Sequence, residues 1–179
     1  LKVTGACFGI SRTSQRQLSC RVSSNGLDDE VLRRLQNITS SMAAAAPSFR
    51  CTSIQITVGF RAILHTATAN IGPSLFCEMG PFFGCGLWEC GKSDTCEPCV
   101  LNGSRWQNCD GRRPHATLPS YGPRISIVAF SSDASAELYS RAGASATACA
   151  RACGMPLPTF DDFKAIEREA HDLSVGVEQ

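Results

Sequence analysis

Eleven cysteines in 179 residues constrain this chain more than any other feature of its sequence. A cytosolic protein of this size gains little from so many thiols, whereas an oxidising compartment converts them into cross-links. We therefore expect a secreted or extracellular protein, or one of another oxidising lumen, stabilised by disulfides. Because eleven is an odd number, one cysteine has no partner within this sequence if the other ten pair. Its thiol would remain free, bridge to a partner chain in an assembly, or pair with a cysteine outside this sequence. The cysteines are Cys7, Cys20, Cys51, Cys77, Cys85, Cys90, Cys96, Cys99, Cys109, Cys149 and Cys153.

Two glycosylation sequons favour the same compartment. Asn102 begins Asn102-Gly103-Ser104 in a polar, cysteine-rich stretch, where we expect its side chain to be exposed. Asn37 begins Asn37-Ile38-Thr39 near the end of a predicted helix. The chain starts at Leu1 and carries no signal-peptide pattern, so we expect a mature, processed form.

The charge of the chain argues against several classes of partner. Seventeen Lys and Arg residues balance sixteen Asp and Glu residues, for a net charge of +1. Nucleic-acid binding needs clustered basic residues, which this balance does not offer. The longest apolar stretch, residues 54–88, is interrupted by Arg61, His65 and Glu78, whereas a membrane-spanning helix needs about 20 mostly apolar residues. We predict no nucleic-acid partner and no membrane span, and expect a protein or glycan partner.

Hydrophobic periodicity predicts an α+β fold, in which a small sheet is covered by amphipathic helices. Leucine, valine, isoleucine and methionine recur at helical spacing from Leu27 to Met42, and Asp28 and Asp29 favour the N-terminus of that helix. Alternating residues predict one strand over Ile54–Phe60, and we expect a second strand over residues 62–69. A later strand spans Ile125–Phe130, a small-residue helix covers 142–152, and a last helix begins at the N-cap Thr159.

Residues 71–123 separate these regular segments and contain many glycines, prolines and serines, with six cysteines between positions 77 and 109. This composition predicts a disulfide-rich loop insertion or subdomain. Each flank is too small to bury a sufficient core alone. We therefore expect a single domain over residues 1–179, with the strand near Ile54–Phe60 sharing a sheet with the strand near Ile125–Phe130.

The central cysteines are spaced Cys77-x7-Cys85-x4-Cys90-x5-Cys96-x2-Cys99-x9-Cys109. Six cysteines at these intervals resemble an EGF-like module, in which small disulfide loops replace a hydrophobic core. The resemblance covers residues 77–109, and it departs from the usual pattern because Glu97 and Pro98 both stand between the fourth and fifth cysteines. A generic disulfide-rich loop is the favoured interpretation of the segment.

The same segment admits two chemical interpretations. Cys96-Glu97-Pro98-Cys99 resembles the redox motif of thioredoxin-like oxidoreductases, but no buried strand precedes it in the sequence pattern. Alternatively, Cys85, Cys90, Cys96 and Cys99 could form a tetrahedral zinc site. An oxidising compartment favours disulfides over both, so we predict neither a metal nor a cofactor.

A helical Cys-x3-Cys pair, Cys149 and Cys153, stands at the end of the segment Ser145–Cys153. Residues four apart lie on the same face of a helix, so each thiol would bridge to a different strand or loop. The segment resembles the Cys-x3-Cys helix of apple and WSC domains over about ten residues, without the downstream cysteines of those families.

Conventional catalytic motifs are missing from the sequence, and its three histidines, His65, His115 and His171, are scattered. We interpret His65 as a core or hydrogen-bonded residue of a strand and predict no catalytic residues. The favoured function is a structural or interaction module whose partner contacts Phe82, Phe83 and Trp88. The alternative is a secreted, disulfide-stabilised enzyme, either a hydrolase or a thiol oxidoreductase using Cys96 and Cys99. A polar cavity that joins His65 or His115 to a carboxylate would favour the enzyme.

Overall fold

The computed structural model describes residues 4–12, 18–20, 28–84, 86–91, 99–101, 105–132, 144–165 and 168. Antiparallel strands dominate this part of the chain, in a six-stranded sheet ordered β2-β1-β3-β11-β4-β8 and a three-stranded sheet ordered β7-β6-β9. The short strands β5 and β10 form a separate antiparallel pair. The strands are β1 (Thr4–Arg12), β2 (Leu18–Cys20), β3 (Ser53–Val58), β4 (Asn70–Met79), β5 (Phe83–Gly84), β6 (Leu87–Glu89), β7 (Cys99–Leu101), β8 (Gln107–Cys109), β9 (His115–Thr117), β10 (Ser120–Tyr121) and β11 (Ile125–Ser132).

The two faces of the six-stranded sheet have different neighbours. Successive side chains of a strand point to opposite faces, so alternate residues form two sets. One set, which includes Ile54, Leu75 and Ile127, belongs to the hydrophobic core together with Met42 and Ala150 of the helices. The other set lines a cavity whose remaining walls come from the three-stranded sheet and its loops. The sheet therefore separates a helix-covered core from a cavity.

Helix α1 (Asp29–Ala45) packs on the core face through Leu35, Thr39 and Met42. Its N-terminus is capped by Asp28, whose carboxylate accepts the backbone N–H of Glu30. Helix α2 (Ala144–Ala152) contributes the buried Ala150 to the same core. Residues 160–165 are helical. Thr159 and Asp162 cap the start of this segment, since the side chain of each accepts a hydrogen bond from the backbone N–H of the other.

Several sequence predictions are confirmed. The helix begins at the predicted aspartates, the strand near Ile54–Phe60 corresponds to β3, and β11 pairs with β3 in antiparallel register along its length. Thr159 occupies the predicted cap position, and the small-residue helix corresponds to α2. The predicted strand over residues 62–69 is wrong, because this segment is irregular except for one bridge, at His65.

The predicted fold class, a small sheet covered by helices with a disulfide-rich loop insertion, is also wrong. Residues 71–123 are not a loop insertion, because they supply two strands of the main sheet and all three strands of the second one. β4 even lies beside β11 near the centre of the main sheet. These strands were not recognised among the many cysteines and turn residues, because six of the strands are only two or three residues long. Such short strands leave almost no periodicity in the sequence.

Candidate active site

A cavity of about 170 Å³ lies between the two sheets. Its walls combine polar residues of the main sheet, such as Gln55, Thr57 and Ser126, with residues of β6 and β9. The ionisable residues that line it are His65, Glu89, Cys109, Asp110, His115 and Arg124. The cavity is the place in the described structure where histidines, carboxylates and a buried cation meet, so we take it as the candidate active site.

The two histidines of this cavity face each other. His65 and His115 exchange both backbone hydrogen bonds, at 3.0 Å and 2.9 Å, in an antiparallel bridge. Directly opposed residues of such a pair place their side chains on the same side. Accordingly, the two imidazole centroids are 4.2 Å apart, with their planes tilted by 54°.

Backbone carbonyls fix the tautomer of both rings. Nδ1 of His65 lies 2.7 Å from the carbonyl oxygen of Ile63, and Nδ1 of His115 lies 2.7 Å from that of Arg113. A carbonyl oxygen only accepts hydrogen bonds, so each Nδ1 must carry the proton. In this tautomer of the imidazole, Nε2 carries the lone pair. This is the arrangement by which proteins orient histidines as metal ligands.

Two carboxylates line the same cavity, in different electrostatic environments. Asp110 accepts hydrogen bonds from the guanidinium of Arg112, both at 2.8 Å, and lies 3.9 Å from Arg113. Burial raises the pKa of Asp110, but the hydrogen bonds and charges of these arginines outweigh burial and hold it below its ordinary value. Glu89 is buried, and its Oε2 accepts the backbone N–H of Asp110 at 3.0 Å.

Arg124 and Glu78 form a buried ion pair at the cavity wall. Nη1 of Arg124 donates to Oε1 of Glu78 at 2.5 Å, and the side chains are only 4% and 0% exposed. Nη2 of Arg124 donates to the carbonyl of Phe60, and the N–H of Gly59 donates to the carbonyl of Arg124. The pair thus anchors the loop that leads from β3 to His65. Among the residues that the structure describes, Arg124 is the only lysine or arginine that lines the cavity.

Cys109 also lines the cavity, but as a protonated thiol. Burial, reinforced by the negative charges of Glu89 and Asp110, raises its pKa to about 12. Within the described residues, no group of three His, Cys, Asp or Glu side chains is close enough together to hold a metal ion. The cavity therefore contains two imidazoles whose orientation is fixed by hydrogen bonds, and carboxylates line the same cavity.

Sequence reasoning identified these histidines only as scattered residues. Fifty positions separate His65 from His115, and no local pattern announces a pairing at that distance. His65 is hydrogen-bonded, as predicted, but its side chain is exposed rather than in the core. Glu78 and Arg124 were missed altogether. A charged residue inside an apolar run such as Ser74–Met79 is the one signal that could have suggested a buried ion pair.

The prediction of a disulfide-stabilised protein is wrong for the part of the chain described. That part contains no disulfide, and Cys51, Cys77 and Cys109 are buried free thiols. Cys51 and Cys77 lie among the residues that fill the hydrophobic core, where cysteine acts as a small apolar side chain. Packing in the core therefore explains part of the high cysteine content. Cys85 and Cys96 lie outside the described residues, as does the side chain of Cys149.

The other predicted site residues are placed in part. Asn37 is exposed on α1, which leaves its glycosylation a prediction, and Asn102 lies outside the described residues. Phe83 is 80% exposed on β5, while Phe82 and Trp88 are half-buried. No helix in the described structure is long and apolar enough to cross a membrane. A protein or glycan partner and the localisation stay predictions.

Comparisons with known proteins identify a shared fold. No family model and no curated protein matches the chain. Among solved structures, it is similar to NgTET1 in complex with 5mC DNA, with a TM-score of 0.52 and 16% identity over 73% of this chain and 61% of that one. It is also similar to an oxidoreductase of the 2OG-Fe(II) oxygenase family from Burkholderia pseudomallei, with a TM-score of 0.51 and 12% identity over 72% of this chain and 67% of that one.

The chain thus spans about three fifths of the length of the first of these structures, and at such identities the similarity concerns the fold alone. Together with the free buried thiols, this similarity contradicts the expected class of disulfide-stabilised proteins, while the compartment stays a prediction. The described residues share the fold of these two structures.

Proposed function

We propose that the protein is a metal-dependent enzyme, an oxidoreductase related in fold to the 2OG-Fe(II) oxygenases. The observation that carries this proposal is the pair His65 and His115, whose Nε2 atoms keep their lone pairs beside one cavity. A cavity that joins these histidines to a carboxylate is also the feature that distinguishes an enzyme from an interaction module. The fold similarity supports the same class of function.

Iron(II) is the metal that this fold suggests, and the residues at the site fit it in part. Non-haem iron oxygenases commonly hold the metal with two histidines and one carboxylate. His65 and His115 provide the two imidazoles, already oriented by their Nδ1 hydrogen bonds. Residues 63–69 contain no carboxylate that could accompany His65. When bound, iron(II) would supply the capacity to react with dioxygen.

The protein's own side chains prepare the cavity for an anionic co-substrate. 2-Oxoglutarate carries two carboxylates, and a guanidinium is the side chain best suited to bind a carboxylate. Arg124 is therefore the residue expected to hold the co-substrate, because no other lysine or arginine of the described part of the chain lines the cavity. Glu78 balances its charge and fixes its position, so that Arg124 is directed before any ligand arrives.

Metal binding by purified protein tests this proposal. We expect the apo-protein to bind cobalt(II), used as an air-stable substitute for iron(II), with one equivalent per chain in calorimetric titration. His65→Ala and His115→Ala should each weaken binding by at least about tenfold, since losing even an outer partner of a metal ligand typically costs that much. His171→Ala removes the remaining histidine of the sequence and serves as the control.

Two results would contradict the proposal. One is a wild-type protein that binds no cobalt(II). The other is a set of three histidine variants that bind it equally well, which would place the metal elsewhere. In a second measurement, the iron(II)-loaded protein should consume 2-oxoglutarate in the presence of dioxygen, and Arg124→Met should raise the concentration of 2-oxoglutarate needed for half-maximal consumption.

A further inference from the structure

One buried carboxylate of the cavity has no counter-charge among the described residues. Glu78 is paired with Arg124. Asp110, which is half-buried, is paired with Arg112. Glu89 is only 8% exposed, yet it forms no ion pair with a described residue, and its one hydrogen bond within the described structure is to the backbone N–H of Asp110. A buried carboxylate is costly unless a cation or several hydrogen bonds compensate it, so a cationic ligand beside Glu89 would be stabilised.

A buried hydroxyl lines the same part of the cavity. Ser74 is 1% exposed, and its Oγ has no hydrogen-bond partner among the described residues. It lies directly opposite Cys109 in the register of β4 with β8, and both residues line the cavity. The carboxylate of Glu89 accepts the N–H of Asp110, the next residue after Cys109, and its negative charge contributes to the raised pKa of that thiol. Ser74 and Glu89 therefore both approach Cys109.

Gly111 leaves space in front of this hydroxyl. A Cβ atom at position 111 would lie 2.9 Å from Nδ2 of Asn70 and 3.8 Å from Oγ of Ser74, and the first of these distances is too short unless Asn70 moves. Asn70 lines the cavity as well. The amide of Asn70, the hydroxyl of Ser74 and the carboxylate of Glu89 each contain an oxygen that can accept a hydrogen bond. This end of the cavity, which we call the acceptor end, thus combines three acceptors with one uncompensated charge.

The other end of the cavity carries a guanidinium. Glu78, which holds Arg124, is four residues from Ser74 along β4, a separation of about 13 Å at about 3.3 Å per residue. Phe76 lies between them on the same strand and lines the cavity, as does Val128 of the neighbouring β11. The cavity wall therefore passes from a guanidinium, through an apolar centre, to the acceptor end.

We propose that the acceptor end, formed by Ser74, Asn70 and Glu89, binds the ammonium group of a primary amine, whose alkyl chain lies along the apolar centre. An ammonium group has three N–H donors and one positive charge, which match three acceptor oxygens of which one is charged. A carboxylate ligand would be repelled by Glu89. A neutral hydroxyl would leave the charge of Glu89 without compensation.

This inference rests on the proposed function only in making the amine the substrate. Glu89 on β6 is directly opposite His115 on β9, so an amine held by Glu89 lies beside the pair of histidines. Arg124, at the other end, remains available for the anionic co-substrate. Binding of the amine itself needs no metal and can be measured separately.

Butylammonium is the probe, and 1-butanol, which has the same chain without the charge, is the matched control ligand. Each is titrated into the full-length protein in the presence of a chelator, and binding is followed by the shifts of backbone amide signals in two-dimensional NMR spectra. We expect butylammonium to bind at least about tenfold more tightly than 1-butanol, because hydrogen bonds between charged groups are stronger than those between neutral groups.

Three variants locate the bound ammonium group. Glu89→Gln keeps an oxygen that can accept the N–H of Asp110 but removes the charge, so butylammonium should bind at least about tenfold more weakly and 1-butanol as before. Ser74→Ala should weaken butylammonium binding about three- to tenfold without lowering the thermal midpoint, since its hydroxyl has no partner in the described structure. Glu30→Gln, the same substitution on the exposed surface of α1, is the control and should bind like wild type.

Equal affinities of the wild-type protein for the two probes would overturn this inference. Equal weakening by Glu89→Gln and Glu30→Gln would also overturn it, because binding would then reflect the net charge of the protein. If circular dichroism shows that Glu89→Gln does not fold, Ser74→Ala decides, and unchanged butylammonium binding by that variant is the contrary result.

The cobalt(II) titrations distinguish this failure from failure of the proposed function. If butylammonium is not preferred while cobalt(II) binds and His65→Ala weakens its binding, the amine site is wrong and the proposed function stands. If butylammonium is preferred and cobalt(II) does not bind, the amine site stands and the proposed metal-dependent function is wrong.

Discussion

At the scale of single residues, the cavity depends on how buried charges are compensated. The Arg124 guanidinium and the Glu78 carboxylate are almost fully removed from water, and each balances the charge of the other. Removing one partner of a buried pair costs more than the pair itself contributes, because the remaining charge is left in an apolar environment. The pair also connects β4 to the loop carrying Phe60 and so positions the segment before His65.

Glu78→Gln should therefore strongly destabilise the protein. We expect the free energy of unfolding to fall by about 3–5 kcal/mol, because Arg124 would stay buried without its counter-charge. Urea denaturation at neutral pH measures the change. Glu30→Gln is the control, since Glu30 pairs with Arg33 and Arg34 on the exposed surface of α1, where ion pairs contribute little. Equal effects of the two substitutions would mean that the buried pair does not matter for stability.

At the scale of secondary-structure elements, the central strands serve two environments at once. In β11, Ile127 and Ala129 pack into the core, while Ser126, Val128 and Phe130 line the cavity. A sequence of apolar and polar residues in alternation predicts this strand well, and the same is true of β3. The strands of the second sheet could not be predicted in this way, because a three-residue strand such as β6 is too short to show a repeated alternation of apolar and polar residues.

Helix α1 stabilises the core face of the sheet through a few large side chains. Met42 is 1% exposed and lies in the same core cluster as Ile54 and Ile127. Met42→Ala should lower the free energy of unfolding by about 2–5 kcal/mol, the usual cost of removing a large buried side chain. Ser40→Ala, on the exposed side of the same helix, should change it by no more than about 0.5 kcal/mol. A small effect of Met42→Ala in urea denaturation would contradict the packing described for α1.

At the scale of the whole molecule, the candidate site exists only because distant segments meet. His65, Glu89 and His115 come from three separate segments of the chain, and the register of β6 with β9 brings two of them together. A sequence reveals local periodicity and local motifs, but register between distant strands depends on the tertiary fold. This is why α1, β3 and β11 were predictable and the site was not.

The cysteines led to an incorrect prediction of disulfides. That prediction relied on how many cysteines the chain has rather than on where they stand in it. Cys51, at the entrance to β3, and Cys77, within β4, occupy positions that face the protein interior. Burial raises the pKa of Cys51 to about 12 and also raises that of Cys77, and these thiols are therefore both inaccessible and protonated near neutral pH. Composition suggested cross-links, whereas the strand pattern around these two residues requires small apolar side chains.

Alkylation of the unreduced protein tests this interpretation of the fold. In the native protein, we expect iodoacetamide at pH 7.5 to leave Cys51, Cys77 and Cys109 unmodified, because the reaction needs an accessible thiolate. In urea without any reductant, all three should become modified, as peptide mapping by mass spectrometry can determine. A sample that is both denatured and reduced gives the full extent of labelling for comparison. Labelling of any of the three only after reduction would mean that a disulfide holds it, and the disulfide-free core described for this fold would then be incorrect.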